Sequence, residues 1–81
     1  MKVTVEASLH PARNGVLLQS DELGLAGGGS DINAALESLR KVLLAWCGGL
    51  RRAGELEATL DRHGLVWSED GMGLSVDITT T

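Results

Sequence analysis

Residues 23–46, LGLAGGGSDINAALESLRKVLLAW, decide how the chain is read. A short apolar segment at Leu23–Ala26 runs into Gly27-Gly28-Gly29 and then Ser30-Asp31. From there Ile32, Ala35, Leu36, Leu39, Val42, Leu43 and Trp46 recur every three or four residues, the spacing of one helical stripe. Strand, turn and helix therefore follow one another with almost no spacer. Asp31 or Ser30 is the expected N-cap, with a side-chain oxygen able to accept from a free backbone N–H of the first turn. The three glycines are expected to end the strand.

A glycine-rich turn before a helix is also the form of a phosphate-binding loop, where free N–H groups and the helix dipole attract anions. Here no Lys-Ser or Lys-Thr follows the glycines, the spacing is not the dinucleotide fingerprint, and Asp31 places negative charge where a phosphate would sit. A structural turn is the better reading.

Before this stretch, Val3, Val5, Ala7 and Leu9 alternate with Lys2, Thr4, Glu6 and Ser8, the pattern of a half-buried strand over Lys2–Leu9. His10-Pro11-Ala12-Arg13-Asn14-Gly15 supplies a proline and an Asn-Gly pair suited to positive φ, so the chain should reverse there into a second strand at Gly15–Ser20. Gly48-Gly49 should terminate the long helix, one long kinked helix being the alternative. A second helix is expected over about Arg52–His63, with Ala53, Leu56 and Leu60 on its apolar side and Gly64 as its stop. The tail returns to strands: Leu65-Val66-Trp67, a hairpin signal at Asp70-Gly71, then Leu74, Val76 and Ile78 alternating with polar residues. The fold expected is one α+β domain over residues 1–81: an antiparallel three-stranded meander, a long helix, a short second helix and a C-terminal strand or hairpin.

With 43% hydrophobic and 22% charged residues, the 81-residue chain has a globular composition. Its net charge of −4 opposes a surface that neutralises many phosphates, and fits a basic protein partner better. Cys47 is the one cysteine, so no internal disulfide is available. The alternating start lacks the apolar run of a signal peptide or membrane helix, which makes the cytoplasm the default location.

No residue pattern declares a chemistry. His10, His63 and Cys47 show no close ligand spacing. Glu6, Glu37 and Asp77 would support metal-dependent phosphodiester cleavage only if folding gathered them, and each lies off the apolar side of its element. Lys41, Arg51 and Arg52 suit solvent and the helix dipole, and Trp46 lies in the apolar stripe. No catalytic residue, cofactor or metal is expected.

Ser20-Asp21-Glu22-Leu23-Gly24-Leu25 and the glycine run through Ser38-Leu39 align without a gap to P-D-L-P-G-C-x-x-x-G-D-T-x-x-E-A-L-x-N-L, a segment typical of HicB-type antitoxins. Asp21, Gly24, Gly29, Ala35, Leu36 and Leu39 match; Asp31 replaces the capping Thr, Ala34 the Glu of the capping box and Leu25 the frequent Cys. The chain thus resembles the HicB family over about its first half. The resemblance implies a partly reduced RNase H-like arrangement of meander, crossing helix and further strand. It also implies neutralisation of a small basic RNase toxin of the HicA kind by covering its RNA-binding surface. A homo-oligomer is expected because a small, strand-rich domain has edges to cover. Direct nucleic-acid binding and a C-terminal DNA-binding segment are not expected. The rival readings are a small-molecule or regulatory module, with a pocket between sheet and second helix, and the metal-dependent nuclease.

Overall fold

The computed structural model describes residues 1–80 and is α+β. Its elements are β1 (Lys2–Ala12), β2 (Gly15–Ser20), β3 (Leu25–Gly29), α1 (Ile32–Arg52), α2 (Leu56–Arg62), β4 (Val66–Ser68) and β5 (Ser75–Thr80). β1, β2 and β3 form the expected antiparallel meander. β1 runs through Pro11 to Ala12, further than the alternation suggested, and only Arg13-Asn14 form the loop. Asn14 and Gly15 keep ordinary φ, so the loop does not use the positive-φ turn expected of the pair.

The three glycines do not end β3; they are part of it. A Cβ on Gly27 would lie 2.3 Å from the Leu39 backbone nitrogen, and one on Gly29 would lie 2.5 Å from the Ala34 Cβ. Glycine is thus what lets the backbone of α1 lie directly on β3. The Ser38 hydroxyl donates to the Gly28 carbonyl at 2.9 Å and ties the two together.

Asp31 is the N-cap, accepting from the Ala34 N–H at 2.8 Å. At the other end the expectation fails: α1 passes through Gly48-Gly49 and ends at Arg52, with Gly54 at φ +72° as the break. Two helical glycines cost roughly 2 kcal/mol together relative to alanine. Continuing the helix places half-buried Leu50 against the core, which offsets part of that cost. Consequently α2 starts at Leu56, and Ala53 is exposed instead of apolar lining. Gly64 stops α2 as expected, at φ +69°.

The tail is not a hairpin. β4 pairs antiparallel with Lys2–Thr4, and β5 pairs parallel with Lys2–Ala7. Lys2, Val3 and Thr4 have partners in both strands, so β4 and β5 lie on opposite edges of β1. The parallel pairing of β5 follows a crossover through both helices, as parallel strands require.

α1 covers one face of the sheet, and Val3, Val5, Ala7, Leu18, Ala35, Leu39, Leu43, Cys47, Leu60 and Val76 are buried there. Leu9 and Ile32 belong to the expected stripes but are exposed near the end of β1 and at the start of α1, and Val42, mid-helix, is exposed at the margin of the buried stripe between Leu39 and Leu43. Among the described residues no helix is long and apolar enough to cross a membrane.

Candidate functional site

The sheet face turned away from α1 is left to solvent, and it carries the side chains that alternate with the core: Lys2, Thr4 and Glu6 from β1 and Asp77 and Thr79 from β5. Glu6 pairs in register with Thr79, and Thr4 with Val66 of β4. The turn after β2 brings Glu22 to this face, and the end of α2 brings His63. Together Thr4, Glu6, Glu22, His63, Leu65, Val66 and Thr79 line a groove of about 240 Å³.

Charge on this face is unbalanced. Lys2 Nζ lies 2.9 Å from Asp77 Oδ2, and that hydrogen-bonded pairing raises the lysine pKa above its ordinary value. Glu6 and Glu22 have no ion-pair partner among the described residues. A second, smaller depression beside the groove is lined by Glu6, Ala7, Ser8, Asp21 and Glu22, which extends the acidic character toward the end of β2. Val66, 70% exposed, and half-buried Leu65 give the groove an apolar flank. His63 is fixed edge-on against Trp46, their ring centroids 6.3 Å apart. Trp67 is held by its indole N–H donating to Asp61 at 2.9 Å.

The other sequence candidates disperse. Glu37 is bound to Arg40 on α1 at 2.8 Å and Asp77 to Lys2, while Glu6 lines the groove. Among the described residues no three His, Cys, Asp or Glu side chains come together to hold a metal. His10 is exposed near the end of β1, and Cys47 is buried, with burial raising its thiol pKa. Helix cap and glycines show no anion-binding arrangement: Asp31 occupies the N-terminus of α1 with its own carboxylate.

The motif residues hold the scaffold. Gly24, at φ +69°, donates its N–H to the Ser20 carbonyl and closes the turn between β2 and β3. Gly29 admits the helix, Asp31 caps it, Ala35 and Leu39 are buried beneath it and Leu36 is half-buried. Asp21 is exposed beside Glu22. The Ser20 hydroxyl is buried without a hydrogen-bond partner and lines neither depression.

No family model, curated protein or solved structure matches this chain. The groove residues that the strand patterns did not single out are Thr4, Glu22, Val66 and Thr79. Thr4 and Thr79 were visible as non-core positions of alternating strands, but only the parallel register of β5 sets Thr79 beside Glu6.

A second constellation lies at the start of β1. The Met1 ammonium donates to Asp70 Oδ1 and to the Met72 carbonyl, each at 2.9 Å, and lies 3.2 Å from Glu69. The hydrogen bond to Asp70 raises its pKa, and the same ammonium lowers the pKa of Glu69 and Asp70. Asp70-Gly71, expected as a hairpin turn, instead belongs to the loop that wraps this end of β1.

Proposed function

We propose that this chain is a HicB-like binding protein that neutralises a small basic RNase toxin by protein–protein contact, in the cytoplasm and without chemistry of its own. The observation that carries the reading is the order of elements. The resemblance at Ser20–Leu39 implies a three-stranded antiparallel meander, a crossing helix and a further strand, and β1–β3, α1 and β5 follow that order with α2 and β4 added to it. The acidic groove on the uncovered sheet face supports it, since opposite charge speeds encounter and disfavours wrong partners. Self-association belongs to the same proposal. Among the described residues β3, β4 and β5 each pair with one strand only, so each has an edge a second copy could cover; β3, glycine-rich, carries the fewest side chains to block it.

The experiment is co-expression with the product of the neighbouring reading frame, followed by co-purification and a growth assay. Capture of a small basic protein whose toxicity is relieved by this chain is the expected result. A neighbour that neither binds nor arrests growth overturns the antitoxin reading. The small-molecule alternative is less favoured by the groove, because about 240 Å³ is below the roughly 300–1,000 Å³ typical of ligand pockets.

A further inference from the structure

We infer that the groove at Thr4, Glu6, Glu22, Val66 and Thr79 receives a single lysine or arginine side chain presented by a protein partner. The inference deepens the proposed function and rests on it for the identity of that partner, but not for the chemistry of the site. Three features define the occupant. First, Glu6 and Glu22 both line the cavity with no ion-pair partner among the described residues; His63 is the other ionisable side chain lining it, and Lys2, next on the same strand face, is already held by Asp77. Second, Val66 is 70% exposed in the same cavity beside Leu65, an apolar wall next to the carboxylates. Long cationic side chains have this division, with an apolar stem that packs on hydrocarbon and a head that seeks charge and hydrogen bonds. Third, the Thr4 and Thr79 hydroxyls stand on β1 and β5 beside Glu6 and offer further acceptors to a head with several N–H donors.

A volume of about 240 Å³ suits one such side chain better than a folded ligand. An anionic or nucleic-acid occupant would meet two uncompensated carboxylates. A purely apolar one would leave them desolvated and unpaired.

The test uses the full chain and a capped hexa-arginine peptide as probe, followed by amide chemical shifts at two salt concentrations. Shifts are expected to concentrate at Thr4, Glu6, Glu22, Val66 and Thr79. Affinity should fall about tenfold in Glu6→Gln/Glu22→Gln, about 1.4 kcal/mol, and both variants keep the size and exposure of the native residues. The control, Glu55→Gln/Glu57→Gln, removes the same charge from the region of α2 and should bind as the parent does. Equal weakening by the control, or shifts spread over all the acidic residues, would overturn the inference. A captured toxin whose affinity is untouched by Glu6→Gln/Glu22→Gln would overturn the groove and leave the antitoxin reading standing. Groove-confined peptide binding without any toxin partner would do the reverse.

Discussion

Gly27 and Gly28 are neighbours in one strand with opposite requirements. A Cβ on Gly27 would meet the backbone of Leu39 at 2.3 and 2.7 Å, and a backbone cannot rotate away as a side chain can. Gly27→Ala is expected to lose roughly 1–3 kcal/mol through overpacking of α1 on β3. On Gly28 the nearest atoms would be at 3.5 and 3.7 Å, ordinary contact, so Gly28→Ala should be neutral or slightly stabilising as backbone freedom in the unfolded chain falls. Urea unfolding followed by Trp fluorescence compares the two, and equal effects would show that helix contact is not what selects glycine here. Both residues read identically in sequence. The side of the strand each faces follows from alternation, but the closeness of the helix does not.

Among the elements, α1 shows where local signals lose to packing. Gly48-Gly49 is a strong stop in isolation, yet the helix continues, and Leu50 packs against the core by doing so. Nothing crowds either glycine: the nearest atoms to an added Cβ are the ends of the Arg52 side chain, at 3.6 and 4.0 Å. Gly48→Ala and Gly49→Ala should therefore each raise stability by up to about 1 kcal/mol, seen as a higher Tm and unchanged helix content. Gly54→Ala should lower it, because φ there is +72°. A loss of stability in Gly48→Ala would mean that the helix needs its glycines for another reason. The start of α1, by contrast, was legible to within one residue: of Ser30 and Asp31, Asp31 caps it through a local contact three residues long.

Across the molecule, the loop from Glu69 to Gly73 is tied to the start of β1 through the Met1 ammonium. The pH dependence follows from the directions of the shifts. Glu69 and Asp70 are lowered from ordinary values of 4.5 and 3.8, so their contribution is present above those values and is lost as pH falls through the lowered ones. The ammonium is raised from 8.0, so its contribution is full below pH 8.0 and is lost as pH rises through the raised value. Thermal unfolding between pH 3 and 10 should thus show a plateau from about pH 5 to 8 and a fall on both sides. Asp70→Asn should lower the plateau and move the alkaline fall to lower pH. Parallel curves for the two proteins would remove the clamp from the account.

The α+β class, the meander, a cap at Ser30 or Asp31 and most of the core stripe were determined by sequence, because each rests on residues within a few positions of one another or on the alternation of one strand. The course of the tail was not. Leu65–Trp67 and Leu74–Ile78 have the pattern of two strands joined by Asp70-Gly71, and that pattern is the same whether they pair with each other or flank β1. Only the long-range competition for the two edges of Lys2–Thr4 separates them. The groove depends on that same choice: Glu6 was visible as a non-core position, but Thr79 and Val66 reach it only once β5 and β4 take opposite edges of β1.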